Sequence, residues 1–189
     1  MTDPPYGIKE SGSRNRGDRP TKKWKSPNSI QYEKKEWDNK APTKELFQEM
    51  FRVSKNQIIW GGNYFLSDLY DTKCMIFWHK HQPVETYADG EMAWTSFCDK
   101  HCAIFDMKYF GAINREADRH HPNQKPVKLY QWLLDNYAEK GQRILDTHLG
   151  SGSSAIAAHY FGCEFVGIEL DEDYFKAAKK RFEQMTRQE

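Results

Sequence analysis

Four residues at the start of the chain, Asp3-Pro4-Pro5-Tyr6, combine an acid, two prolines and an aromatic. Each proline removes a backbone donor and fixes φ, and each biases the residue before it towards extended backbone. The outcome is a stiff tip that presents one carboxylate, exposed carbonyl oxygens and one aromatic face. Such a tip can hold an exocyclic amino group by two acceptors while a flat ring stacks on the tyrosine. The same residues would also make an ordinary polar turn, so the tip alone does not decide.

The far end of the chain carries a second pattern. Arg143-Ile144-Leu145-Asp146 is a short apolar strand, followed by Thr147-His148-Leu149-Gly150-Ser151-Gly152 and a small, helix-friendly run from Ser153 to Tyr160. After Gly162 comes a second apolar strand, Phe165-Val166-Gly167-Ile168, ending on Glu169. Strand, glycine turn, helix, strand and acid make a nucleotide-binding βαβ unit. Its glycines let backbone approach the ligand, its helix N-terminus offers N–H groups, and its acid accepts from ribose hydroxyls. Gly150-x-Gly152-x-x-Ala155 also fits the dinucleotide fingerprint, so this block leaves NAD and S-adenosylmethionine both open. A glycine pair alone is equally a tight strand–helix turn; the acid about twenty residues on strengthens the nucleotide reading.

A third block, His121-Pro122-Asn123-Gln124-Lys125-Pro126-Val127, leads into Leu129, Trp132, Leu133 and Tyr137, spaced for one helical face. With the three blocks in this order, the chain resembles the amino-methylating DNA methyltransferases of permuted order, the S-adenosylmethionine-dependent adenine-N6 and cytosine-N4 family. Lys73–Trp78 and Glu91–Trp94 resemble that family's middle strands, and about Ile8 to Ala41 is the part left uncovered.

The resemblance implies an α/β fold, a Rossmann-like methyltransferase mixed sheet with helices on both faces. It implies S-adenosylmethionine as cofactor and DNA as partner; no metal is expected. Asp3, Pro4, Pro5 and Tyr6 become the catalytic tip. Asn123, Gln124, Lys125, Pro126, Asp146, Gly150, Gly152 and Glu169 become the cofactor side. Asp3 and the Pro4 carbonyl would accept the two hydrogens of the target nitrogen, and Tyr6 would stack on a base turned out of the duplex. An acid at the first tip position favours adenine N6. Cytosine N4, a non-catalytic remnant and a nicotinamide oxidoreductase are the alternatives; the last leaves the tip and His121–Val127 unexplained.

One domain is expected over 1–189, with the tip at 1–7, a basic flexible loop at 8–42, a target-side half at 43–111 and a cofactor-binding half at 121–189. A net charge of +1 excludes a surface coated in basic charge, but Arg14, Arg16, Arg19, Lys22 and Lys23 cluster in one glycine- and serine-marked stretch. That loop can neutralise phosphates. Trp24 and Tyr32 would add contact to bases or sugars, and Asn63-Tyr64-Phe65 would line the target pocket. Large recognition insertions are absent, so short sequence specificity is expected.

Thr43 caps a helix carrying Leu46, Phe47, Met50 and Phe51; Gln57–Trp60, Lys73–His79, Met92–Phe97 and Ala103–Phe110 are strands, the last as an antiparallel edge. No run has the length of a membrane span and no signal-peptide core opens the chain. Four cysteines without a disulfide framework fit a reducing cytoplasm. Cys98, His101, Cys102, His120 and His121 lack a strong zinc spacing. In this family an apolar strand should precede the tip, beside Ile144–Asp146. Only Met1 and Thr2 do, so N-terminal truncation is expected.

Overall fold

The computed structural model describes residues 1–9, 35–83, 85, 88–98, 101–110, 113, 114, 116 and 119–187. Arg14, Arg16, Arg19, Lys22 and Lys23, together with Trp24 and Tyr32, lie outside these residues. The order is α1 (Lys44–Val53), β1 (Ile58–Trp60), a 3-10 turn (Gly62–Tyr64), β2 (Met75–His79), β3 (Gly90–Thr95) and β4 (Cys102–Asp106). Then follow α2 (Val127–Tyr137), β5 (Arg143–Asp146), α3 (Ser153–Phe161), β6 (Glu164–Gly167) and α4 (Glu172–Thr186). Among the described residues no helix is long and apolar enough to cross a membrane.

Four strands pair in the order β1-β3-β2-β4, and β5 pairs with β6 in parallel. The β3 strand runs antiparallel to both β1 and β2. The antiparallel edge expected at Ala103–Phe110 is not what forms. The stretch is an edge, but β4 runs parallel to β2, with Ala103 opposite Ile76. The reason is topological: β2 and β3 form an antiparallel pair, so β3 ends at the level where β2 starts. A chain leaving there and joining the free edge of β2 must run in the direction of β2.

Residues 1 and 2 join the two strand groups. Thr2 N–H donates to Ile58 O and Trp60 N–H donates to Thr2 O, both at 2.9 Å, in parallel register with β1. On the other side the Met1 nitrogen donates to Leu145 O at 3.0 Å. Asp3 therefore emerges where β1 and β5 both end.

The core lies on both faces of β1, as its alternation dictates. Ile58 and Trp60 pack with Ile76, Trp78, Leu129, Leu133 and Ile156, under α2 and α3. Ile59 points the other way, onto Phe47 and Met50 of α1 and onto Phe65 and Trp94. Ala155, Ala157 and Ala158 are small and buried. That lets α3 lie close against α2, its most extensive helix neighbour. The α/β mixed sheet with helices on both faces is what the sequence predicts.

Candidate active site

The tip is held from three directions. Tyr6 Oη donates to Asp3 Oδ1 at 2.7 Å, folding the tetrapeptide onto itself. Lys125 Nζ donates to Asp3 Oδ2, reaching across from the segment before α2. The Tyr6 ring stacks on Tyr64 with centroids 4.8 Å apart and planes 15° apart. Gly61 makes this packing feasible. Its φ of +67° is left-handed, and a Cβ there would stand 2.1 Å from the Tyr6 ring.

Behind Asp3 lies a chain of alternating charge. Lys125, with a side chain 5% exposed, is 3.1 Å from Glu91 Oε2, and Glu91 Oε1 accepts from Lys80. Burial pushes the Asp3 carboxyl above its usual value, with Lys125 pulling the other way and Glu91 adding to the rise. Burial also works against charge at Glu91, but Lys125 and Lys80 outweigh it and hold that carboxyl down at about 2. Burial raises the Tyr6 phenol well above its usual value and Asp3 raises it further, so at neutral pH it remains a donor.

The loop between β5 and α3 is built differently, from backbone. Asp146 Oδ1 accepts from His148 N–H at 3.1 Å and Oδ2 from Ser154 Oγ at 2.6 Å, closing the turn between β5 and α3. Burial pushes Asp146 up to about 6, against its hydrogen bonds with Ser154 and His148. Glu169 Oε2 accepts from Gly150 N–H at 2.8 Å and Oε1 from Asp171 N–H at 3.0 Å. Gly150 and Gly152 adopt φ of +54° and +76°, conformations that favour glycine. The loop and the tip meet at Thr2, whose hydroxyl lies 3.0 Å from Thr147 Oγ1 and 3.1 Å from His148 Nδ1.

An aromatic row borders the loop. Trp37 lies 5.1 Å from His121 between ring centroids, and His121 lies 4.5 Å from Tyr174. The His121 ring is also 3.9 Å from where a Cβ on Gly150 would sit. Asp38 ties the Trp37 segment to the tip by accepting from Gly7 N–H at 3.0 Å, and Lys35 ties it to Asp171 at 2.6 Å. The buried Trp37 indole N–H has no hydrogen-bond partner among the described residues.

The chain belongs to the DNA methylase family. The family model so described, that of the N6/N4 methyltransferases, matches residues 19–180. A putative methylase, YubD of Escherichia coli K12, is 28% identical over 192 residues, covering 96% of this chain and 79% of that protein. Two solved structures are similar in fold. A putative DNA modification methylase from Thermus thermophilus, complexed with S-adenosyl-L-methionine, has a TM-score of 0.55 at 21% identity. That match covers 75% of either chain. PvuII DNA methyltransferase, described as cytosine-N4-specific, has a TM-score of 0.58 at 13% identity, covering 98% of this chain and 82% of that one.

Within this DNA methylase the four residues Asn123 to Pro126 diverge. Lys125 reaches the tip, whereas Gln124 is buried, its side chain accepting from His120 N–H and donating to Glu116. Asn123 is exposed at the rim and Pro126 is the N-cap of α2. Glu116 also accepts from Val127 N–H and from Arg181, at 2.8 Å and 2.5 Å, and Arg181 in turn donates to Ser151 O. This network fastens the segment before α2 to the cofactor loop.

Sequence reasoning singled out neither Lys80 nor the Glu116–Arg181 pair, and took Glu91 only as part of a strand. The signal at Glu91 was an acid at the start of a strand that continues Met92-Ala93-Trp94. Among the described residues the side chains within reach of one shared ion are His79, His81 and Asp106, not the cysteines.

Proposed function

We propose that this DNA methylase transfers a methyl group to an exocyclic amino nitrogen of a DNA base, adenine N6 in preference to cytosine N4. The observation that carries this is the junction at Thr2, which sets Asp3 beside the Thr147–Gly152 loop. On this reading a hydrogen-bond acceptor for the target would stand next to the cofactor.

S-adenosylmethionine is the cofactor of this family, and its sulfonium supplies an electrophilic methyl group. The residues present suit it. Glu169 spends each oxygen on one backbone N–H and keeps lone pairs for a ribose diol. His121 and Trp37 offer flat faces for a purine, and the Trp37 N–H is a donor with no partner among the described residues. Gly150 and Gly152 keep the loop free of side chains, and Asp146 holds it closed.

The target nitrogen is a poor nucleophile, because its lone pair is delocalised into the ring. Asp3, with the Pro4 carbonyl, would accept its two hydrogens and turn it towards tetrahedral geometry. Orientation and fixed acceptors supply most of such a gain. The acid at the first tip position is what favours adenine. Tyr6 already has Tyr64 on one face, so a base stacking there would join or displace that half-exposed ring.

Residues 43–111 would form the target side and 121–189 the cofactor side of one domain over 1–189. Arg14, Arg16, Arg19, Lys22 and Lys23 would contact phosphates. The test is transfer of labelled methyl from S-adenosylmethionine to unmethylated DNA, followed by digestion to nucleosides. Label in N6-methyladenine supports the reading, label in N4-methylcytosine reverses the base, and cofactor retained without transfer leaves a binding module. Charge reversal of the five basic residues should reduce the salt dependence of DNA binding, by a slope of about 0.9 for each phosphate no longer neutralised.

A further inference from the structure

Each oxygen of the Asp3 carboxylate already accepts one hydrogen bond before any base arrives; each keeps a lone pair, but the Lys125 ammonium draws off the charge that makes a carboxylate a strong acceptor. Oδ1 accepts from Tyr6 and Oδ2 from Lys125. The Lys125 ammonium is buried, and a buried charge stripped of its partner is strongly destabilising. An incoming amino group therefore cannot simply push Lys125 aside; the ammonium needs another acceptor within reach.

The structure holds one. Glu91 Oε2 is buried, makes no aligned hydrogen bond among the described residues, and is already ion-paired with Lys125 Nζ at 3.1 Å. Its sister oxygen is anchored by Lys80, which fixes the direction in which Oε2 points. The Tyr6 and Trp60 rings flank the ammonium at 5.9 Å and 5.5 Å from their centroids, leaving a small turn towards Glu91 as its short route.

We propose that Glu91 is a positioning residue, which takes the Lys125 ammonium from Asp3 as the target amino group arrives and so frees the Asp3 carboxylate to accept from it. No proton moves in this step: Lys125 stays an ammonium, both carboxylates stay ionised, and one hydrogen bond is exchanged for another. The inference rests on the reading that Asp3 faces the target nitrogen.

Two experiments test it. The first needs no activity: a crystal structure of Asp3→Asn, in which residue 3 loses its charge. Lys125 Nζ is expected on Glu91 Oε2 in aligned hydrogen-bond geometry. Lys125 still on residue 3, or turned to solvent, overturns the proposal whether or not the protein methylates DNA.

The second is a double-mutant cycle on kcat. Glu91→Gln should lower kcat by about tenfold with cofactor affinity unchanged, whereas in a Lys125→Met background the same substitution should change kcat by no more than about twofold. An equal loss in both backgrounds would make Glu91 merely structural. That outcome, with transfer by the wild-type protein intact, sinks the Lys125 exchange alone. Absence of transfer by the wild-type protein sinks the functional reading and leaves the Asp3→Asn structure to decide whether Glu91 takes Lys125.

Discussion

The tip and the cofactor loop sit side by side yet are held by opposite means. The tip depends on charged side chains from four separated places: Asp3, Lys80 after β2, Glu91 in β3 and Lys125 before α2. The loop is closed mainly within residues 143–171, by Asp146 and Glu169 accepting from nearby backbone N–H groups and from Ser154, with Arg181 fastening Ser151 O from α4. One region is a long-range electrostatic assembly, the other a local backbone construction. Substitutions in the first should reach transfer and spare cofactor binding, and substitutions in the second should do the reverse.

The largest effect is expected for Asp3→Ala. Loss of a placed acceptor should lower the transfer rate by about 10²–10³-fold. Cofactor binding should stay within a few-fold, measured by calorimetry on the folded variant. Equal loss of both would erase the division between the regions. Gly61→Ala comes next and tests the tip without touching its chemistry. Its Cβ would meet the Tyr6 ring at 2.1 Å on a backbone of φ +67°, so the tip must shift. A displacement of about 1 Å costs on the order of a hundredfold in rate. Normal transfer by a folded Gly61→Ala protein would show that Tyr6 needs no fixed place.

The same division explains how much of the molecule was legible in its sequence. The βαβ unit from Arg143 to Glu169 follows local rules: apolar strand, glycine turn, small helix, strand and acid. Its strands, α3 and the role of Gly150 and Gly152 in the turn were all readable. The helix from Val127 and the strand at Ile58–Trp60 were readable for the same reason. The support of the tip was not, because nothing in spacing links residue 3 to residues 80, 91 and 125. Those contacts exist only once β2, β3 and the segment before α2 converge at one end of the sheet. Lys125 illustrates this. Its motif placed it on the cofactor side, and only the fold reveals its partner as Asp3. The direction of β4 was missed likewise, since alternation at Ile104 and Phe105 marks a strand but not which neighbour it joins.

Glu169→Ala should produce the reverse of the tip phenotype, at smaller size. It removes the acceptors proposed for a ribose and releases Gly150 N–H and Asp171 N–H. Cofactor affinity should fall by about 1–3 kcal/mol, while transfer at saturating cofactor stays close to wild type. An unchanged affinity would take Glu169 out of the site.

The smallest effect concerns pH, and it probes the seam between the regions. Burial holds His148, beside Thr2, down at about 4. Burial does the same to His121, between Trp37 and Tyr174, with Lys125 and Arg119 adding to it. Each therefore prefers to be neutral in the folded protein. Their contribution to stability is complete above about 6.5, the ordinary histidine value, and is lost as pH falls from there towards about 4. Asp146 has the opposite sign: its carboxyl is raised to about 6, so the folded state gains relative stability as pH drops through that value. The two histidines favour a fall in Tm between pH 7 and pH 5, opposed by Asp146 and by Asp3, whose carboxyl burial also raises. In a His121→Asn, His148→Asn protein the fall should shrink, because only the two carboxyl contributions remain of the four. Of the single variants, His121→Asn should change the pH dependence of cofactor affinity more than His148→Asn does, since the His121 ring borders the loop at Gly150. His148→Asn should alter Tm more than affinity, since its ring joins the loop to Thr2. Identical pH profiles for both single variants would show that tip and loop titrate as one unit, and the comparison would hold for their construction alone.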